Sequence, residues 1–270
     1  MPPPGPYHVT QPGDRLRTIL MFVGLLIAGS AHAGTVKLKA ADNVAISGVE
    51  SGTGAKGVVL IHGDGRSAAD WANFATKLAS QGFHVVALDL RGHGASPQPA
   101  PLTDADWPKM VADVDAAAAY LRTKGAKEIV LVGADVGASL ALNAAAKDPG
   151  ITSVVMLSPT VTAHGVKVSD ALATYGQRPL MLVAATGDTM SAKAASLLEP
   201  KAMGPKTLQL LEGSGSGVQL LNIDAGLQGT LIGWLNGSWR VSVAPKPEDK
   251  LKTGTVQDIN STGTRLEDHK

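Results

Sequence analysis

The chain has 270 residues, 44% of them hydrophobic and only 4% aromatic, which suits one α/β domain with an aliphatic core or at most two small domains. Basic residues number 24 and acidic residues 23, and this near balance argues against a nucleic-acid-binding surface. Cysteine is absent, which excludes disulfides, thiolate metal sites and a cysteine nucleophile.

Residues 1–33 have the pattern of a secretory signal peptide. Arg15 and Arg17 precede the apolar run 19–27, and small residues lead to Ala33. The apolar run is shorter than the roughly 20 residues that span a bilayer, although an uncleaved anchor is the alternative. We therefore expect an exported protein, periplasmic or secreted, that has no membrane attachment after cleavage.

The rest of the chain alternates between predicted strands and helices. Residues 35–50 predict an antiparallel β-hairpin. Further strands are predicted over 57–61, 84–90, 128–132, 153–157, 179–184 and 207–211, and helices over 68–80, 104–124, 136–147, 191–198 and 218–235. This alternation predicts an α/β fold over residues 34–240, with a mostly parallel sheet covered by helices on both faces.

Two segments limit this domain. Only a loop and a small helix fit between Pro159 and Arg178, so no lid domain is expected there. Residues 241–270 are rich in Lys, Asp, Gly and Thr and poor in apolar side chains, which predicts a disordered polar tail.

The pentapeptide Gly133-Ala-Asp135-Val-Gly137 lies between a predicted strand and a predicted helix. A Gly-x-nucleophile-x-Gly sequence at such a turn is typical of a nucleophile elbow, which presents its central side chain at the edge of a sheet. Here the central residue is Asp135 instead of a serine. Its carboxylate is either a nucleophile, or simply a side chain that tolerates a left-handed turn and caps the following helix.

Four more short motifs accompany the elbow in chain order. They are His62-Gly63, Asp89-Leu-Arg-Gly-His-Gly-Ala-Ser96, Gly187-Asp188, and Ser216-Gly217 before the last predicted helix. In this order the five motifs resemble the α/β-hydrolase superfamily, in its small, lidless, dienelactone-hydrolase-like form.

The resemblance implies where the functional residues lie. The catalytic triad positions are Asp135, Asp188 and Ser216. The oxyanion hole corresponds to Gly63, Asp64 and Val136, where a backbone N–H from each side binds the developing charge. An inward-pointing carboxylate on Asp64 would repel that charge.

Two of the three triad positions depart from the family pattern. Asp135 replaces the usual serine and Ser216 replaces the usual histidine, whereas Asp188 matches the family's acid. A serine hydrolase needs an imidazole that accepts and returns a proton, and a serine hydroxyl cannot do this near neutral pH. The sequence therefore predicts a degenerate triad without serine-hydrolase turnover, in a protein that binds an unidentified small molecule or partner.

An active enzyme with an aspartate nucleophile is the alternative. The resemblance implies this chemistry for haloalkane dehalogenases and epoxide hydrolases, which need a histidine to activate water. His164 is the best surrogate base in this sequence, with His62 as a second choice. Convergence of Asp64, Asp135 and Asp188 would instead favour a bound cation. No cofactor or metal motif is recognised, and the sequence leaves the oligomeric state open.

Overall fold

A computed structural model describes residues 33–97 and 101–240, together with residues 1, 2 and 5. The predicted tail lies outside the described residues, and so does the predicted signal peptide apart from residues 1, 2, 5 and 33. Among the helices that are described, none has both the length and the apolar character needed to cross a bilayer.

A single eight-stranded sheet organises the described chain. In chain order its strands are β1 (Gly34–Lys39), β2 (Ala45–Ser51), β3 (Lys56–Ile61), β4 (Phe83–Asp89), β5 (Glu128–Ala134), β6 (Ile151–Leu157), β9 (Leu180–Ala185) and β10 (Lys206–Leu211), while β7 (Thr162–Ala163) and β8 (Val166–Lys167) form a separate hairpin. Their spatial order is β1-β2-β4-β3-β5-β6-β9-β10. β2 pairs antiparallel with β1 and with β4, and the other pairs are parallel. The predicted N-terminal hairpin and mostly parallel sheet are therefore confirmed.

Helices cover both faces of this sheet. They are α1 (Ala72–Ser80), α2 (Val111–Thr123), α3 (Val136–Lys147), α4 (Ser169–Tyr175), α5 (Thr189–Leu198), α6 (Leu220–Ile223) and α7 (Leu227–Leu235). Successive strand residues point to opposite faces, so Val58 and Leu60 pack with α1 and α7, whereas Val59 and Ile61 pack with α2 and α3. A central parallel strand buried on both faces explains the continuous apolar run of β3.

Three predicted helices differ from the observed ones. The first four residues of the helix predicted over 68–80 form a 3₁₀ turn, Ala68–Trp71, before α1 begins. The helix predicted from residue 104 begins instead with a 3₁₀ turn at Trp107, because Pro108 has no N–H to donate to the carbonyl of residue 104. The helix predicted over 218–235 is broken after Ile223, where Asp224 Oδ1 accepts from the Gly226 N–H (2.6 Å). Side-chain-to-backbone bonds of this kind compete with helix formation.

The connection between β6 and β9 contains no lid. It holds a short hairpin, β7 (Thr162–Ala163) with β8 (Val166–Lys167), followed by α4. The ends of the parallel strands are therefore not covered by a separate domain between these two strands.

The motif from Asp89 to Ser96 acts structurally. Asp89 accepts hydrogen bonds from the N–H groups of Ala68 (2.7 Å) and Ala95 (2.9 Å). The Arg91 guanidinium forms ion pairs with the buried Asp113 and with Asp42. The two ion pairs fix the turn after β4 against the turn between β1 and β2 and against α2.

The turn between β5 and α3 is sharp and strained. Asp135 has φ 53° and ψ −124°, a left-handed conformation that costs on the order of 1–3 kcal/mol for a residue other than glycine. A Cβ atom at Gly133 would overlap the backbone of Gly137, and one at Gly137 would overlap the carbonyl oxygen of His62. The two glycines therefore allow α3 to lie directly against β5 and the end of β3.

Replacing Gly137 with alanine is expected to lower the free energy of unfolding by at least about 2 kcal/mol, because the backbone after β3 must move to admit a Cβ atom. Gly229→Ala is the matched control, since this exposed glycine in α7 has no neighbour within 4 Å of an added Cβ. The control should be neutral, or stabilising by up to about 1 kcal/mol. Urea denaturation measures both, and equal stability of the two variants would contradict the packing argument.

Candidate functional site

A small cavity lies beside Asp135 at the carboxyl edge of the sheet. Its volume is about 120 Å³, and it is lined by Gly63, Arg66, Asp70, Asp135, Ser216, Val218, Gln219 and Asn222. The loops after β3, β5 and β10 meet here, as expected at the carboxyl ends of parallel strands. Three sequence-predicted positions thus come together, Gly63, Asp135 and Ser216, whereas the roles of Arg66, Asp70 and Asn222 were not predicted.

Two glycines make room for the Asp135 carboxylate. A Cβ atom at Gly63 would lie 2.7 Å from Asp135 Oδ2, and one at Gly217 would overlap the same oxygen. Gly217 also has φ 57°, so a larger residue there would be strained as well as crowded. The carboxylate is therefore enclosed on two sides by backbone.

The electrostatic surroundings favour the neutral form of this side chain. Burial, together with the nearby charge of Asp188 and against the opposing charge of Arg66, raises the pKa of Asp135 to about 6. Asp135 is therefore an acid that changes its charge in the weakly acidic to neutral range.

The charge of Asp188 raises the pKa of Asp135, although Asp188 does not line the cavity. It precedes α5, and its side chain accepts a hydrogen bond from the Ser191 N–H (3.2 Å) as the helix N-cap. The predicted acid position is therefore close enough to influence Asp135, yet it also has a structural role of its own.

Ser216 lies at the start of a 3₁₀ turn, Gly217–Gln219, and forms a reciprocal capping arrangement with Gln219. The next residue is held by Ser158, whose Oγ accepts from the Gly217 N–H (2.8 Å). Ser158 is fully buried and has φ 49°. Sequence reasoning missed it, although a polar residue directly after β6 was a usable signal because β6 ends at the site.

The three predicted oxyanion-hole positions, Gly63, Asp64 and Val136, have different surroundings. Val136 is the first residue of α3, so its N–H is one of the helix's unpaired amides, and Gly63 lines the cavity. Asp64 is exposed, and its carboxylate oxygens lie 3.5 Å from His93 Nε2 and 3.4 Å from His164 Nε2. The Asp64 side chain is thus paired with imidazoles.

A bound cation would be favoured only if the carboxylates of Asp64, Asp135 and Asp188 converged. Asp188 influences Asp135, whereas Asp64 is directed to the two histidines. Over residues 33–97 and 101–240, no group of three or more His, Asp and Glu side chains is arranged to hold a metal ion.

His164, the predicted surrogate base, lies in the turn between β7 and β8. Its Nδ1 is 2.9 Å from Asp104 Oδ1, and its ring stacks on Trp107 with 4.5 Å between centroids. With Nε2 facing Asp64, both ring nitrogens have carboxylate neighbours. His164 does not line the Asp135 cavity.

His62 is committed to holding the loop after β3. Its Nδ1 donates to the Gly63 carbonyl (2.7 Å), and its Nε2 accepts from the Leu90 N–H (3.0 Å). Burial lowers the pKa of His62 to about 4, so the ring is neutral near pH 7. With both nitrogens bonded, it has no lone pair for a water above Asp135.

Comparisons with known proteins agree with this architecture. Residues 57–197 match the family model described as alpha/beta hydrolase fold. Epoxide hydrolase A of Mycobacterium tuberculosis is 36% identical over 113 residues, which are 42% of this chain and 34% of that protein. Lipase LipV of the same organism is 30% identical over 189 residues, or 69% of this chain and 62% of that protein.

The matches thus span about a third and about three fifths of these two relatives. Among solved structures, the Pyrococcus furiosus esterase Pf2001 superposes with a TM-score of 0.64 at 20% identity, covering 78% of this chain and 92% of that one. That likeness is one of fold, whereas the family match covers more than half of the chain. The chain belongs to the α/β-hydrolase fold family.

Proposed function

We propose that this protein has a degenerate catalytic triad and no serine-hydrolase turnover, and that the cavity beside Asp135 binds a small polar ligand. The triad-equivalent positions carry a carboxylate at Asp135, a carboxylate at Asp188 and a hydroxyl at Ser216. Acyl transfer by the serine route needs a hydroxyl nucleophile and an imidazole that shuttles its proton. Neither is available at the matching position.

The observation that carries the proposal is the lack of an imidazole at the cavity. Four histidines lie in the described ranges, and none of them lines it. His62 is bonded through both nitrogens, and His93 and His164 face Asp64. His84, at the start of β4, bonds Glu50 (2.6 Å) at the opposite edge of the sheet.

The lining of the cavity indicates the chemistry of a ligand. Arg66 supplies a positive charge, Asp70 supplies an acidic side chain, Gln219 and Asn222 supply amides, and Asp135 supplies a carboxyl group whose pKa is about 6. Near pH 6 this carboxyl can donate or accept a hydrogen bond. A small molecule with several hydroxyl groups suits this set better than an apolar one or one with several negative charges.

Ester hydrolysis is the direct test. The purified protein should hydrolyse a panel of short-chain aryl esters no faster than its Asp135→Ala variant. Combining Asp135→Ser with Ser216→His should create measurable esterase activity, because both positions adjoin the same cavity, while either single change should not. Robust ester hydrolysis by the parent chain that is lost in Asp135→Ala would contradict the proposal.

An aspartate nucleophile is the second candidate, favoured by the carboxylate at the elbow and by the similarity to epoxide hydrolase A. Asp135 Oδ would attack an sp³ carbon of an epoxide, the ring C–O bond would break, and the released oxygen would take a proton from water. Hydrolysis of the resulting ester requires a base-activated water. Without such a base, the reaction stops at one ester per chain.

Intact-mass spectrometry after incubation with styrene oxide tests this candidate. We expect at most one adduct per chain, faster at pH 7.5 than at pH 5 because Asp135 must be ionised to attack, and none in Asp135→Asn. Diol formation well beyond one equivalent would instead establish an enzyme with many turnovers. The proposal that the protein has lost catalytic turnover would then be wrong.

The charge of Asp135 should also be visible in stability. Its pKa rises from 3.8 in the unfolded chain to about 6 in the folded one, so stability falls as pH increases through this interval. Ionisation costs on the order of 1–2 kcal/mol above pH 6, after allowance for partial solvent exposure. Asp135→Asn should therefore unfold at higher urea concentration than the parent at pH 8 but not at pH 4. A difference that does not change with pH would contradict the assignment.

Export remains a proposal based on residues 1–33 alone. The basic residues, the apolar run and the small residues before Ala33 support a cleaved signal. An exported protein without cysteine needs no oxidative folding machinery.

A further inference from the structure

A second concave surface lies outside the Asp135 cavity. It is a groove of about 390 Å³ between the segment that follows β6 and the outer face of α5, lined by Thr160, Val161, Thr162, Met190, Lys193, Ala194 and Leu197. Its volume is within the range of about 300–1,000 Å³ typical of small-molecule sites. The Thr160 hydroxyl contacts Ser139 Oγ on α3 (3.2 Å), which places one end of the groove near the elbow helix.

The helix α5 has two apolar faces. Ala195 and Leu198 pack into the core against the sheet. Met190, Lys193, Ala194 and Leu197 are spaced i, i+3, i+4 and i+7, so they share one face that borders the groove. An amphipathic surface helix needs only its core-facing stripe, yet on this second face Met190 and Leu197 are exposed beside the buried Ala194.

Exposed apolar side chains are concentrated at this groove. Between residues 33 and 240, the described chain exposes five large hydrophobic side chains: Val161 (42%), Met190 (80%), Leu197 (48%), Met203 (59%) and Leu210 (44%). The first three line the groove. Single exposed hydrophobic residues need no explanation, but a contiguous concave set marks a binding surface.

The charge that lines the groove is positive only. Lys193 is its one charged lining residue, and the ammonium forms no ion pair with any described acidic side chain. A compact positive charge beside apolar walls complements a molecule that has one anionic group and an aliphatic body. The hydroxyls of Thr160 and Thr162 add hydrogen-bond donors on the opposite wall.

We propose that this groove binds an aliphatic monocarboxylate, a free fatty acid of medium chain length. The carboxylate pairs with Lys193 Nζ, and the alkyl chain lies along Val161, Met190 and Leu197. This inference does not depend on the ligand proposed for the Asp135 cavity, and it requires no chemical step.

Calorimetric titration of the full chain with dodecanoate, below micelle formation, tests the assignment. Dodecanol and dodecyltrimethylammonium serve as probes with the same tail and different charge. Dodecanoate should bind about fivefold more tightly than dodecanol, the upper range of an exposed ion pair, and this preference should shrink at high salt. Lys193→Gln should remove the preference, and Leu197→Ser should weaken both ligands by about tenfold.

Matched controls lie elsewhere on the same surface. Leu210→Ser removes a comparably exposed leucine, and Lys201→Gln removes an exposed lysine outside the groove. Both should bind dodecanoate like the parent chain, and so should Asp135→Asn. The proposal is overturned by absent binding, by equal effects of Leu197→Ser and Leu210→Ser, or by equal affinity for all three probes. It is also overturned if sedimentation shows a dimer that Leu197→Ser dissociates while dodecanoate does not bind, since a second copy would then occupy the groove.

Discussion

The close approach of α3 to the sheet is the constraint on which the site depends. Gly133 and Gly137 carry no Cβ atoms because the helix backbone and the carbonyl of His62 occupy that space. This contact forces the chain to reverse within one residue, and Asp135 takes up the left-handed conformation at the reversal. The side chain of residue 135 therefore stands at the carboxyl edge of the sheet, beside the unpaired amide of Val136. Any residue at this position would be presented in the same way.

A hydrolase-like frame thus surrounds a carboxylate. Gly63 and Gly217 leave space for Asp135, and Ser158 anchors the Gly217 backbone. The geometry of this turn is evidence for the fold and not for an activity, because activity depends on the side chains that the fold carries. Burial and the charge of Asp188 both disfavour an ionised Asp135. His62 directly precedes Gly63 in the cavity wall. Both of its ring nitrogens bond to backbone groups, those of Gly63 and Leu90.

The short connection between β6 and β9 has a second consequence. This connection holds only the short strands β7 and β8 and the helix α4, so residues 160–162 form one wall of the groove and no lid domain from this connection covers the outer face of α5. Met190 and Leu197 therefore remain exposed beside Val161. The polar cavity and the apolar groove differ in the chemistry of their walls, so their ligands should differ as well. Both lie towards the carboxyl edge of the sheet, where an α/β protein gathers its loops.

Local patterns in the sequence determined much of this protein. Alternating apolar runs and helical periodicity predicted the strand and helix order, and the elbow pentapeptide by itself located the turn at Asp135. These signals are local, since each depends on residues within one element or one turn. The predicted boundaries near Trp107 and Asp224 were wrong. Pro108 lacks the N–H that a helix from residue 104 would need, and the bond from the Gly226 N–H to Asp224 Oδ1 interrupts the last helix although its periodicity continues.

Tertiary structure alone decided what each polar side chain contacts. Asp64 follows the His-Gly motif, yet its carboxylate turns to His93 and His164, which come from distant segments. Arg66 and Asn222 reach the Asp135 cavity from loops that are far apart in the chain. Side-chain direction after a strand depends on the packing of neighbouring loops, and the pKa of a carboxyl group depends on its burial and on charges from other elements. Neither property has a periodic signature in the sequence, so only the folded chain specifies them.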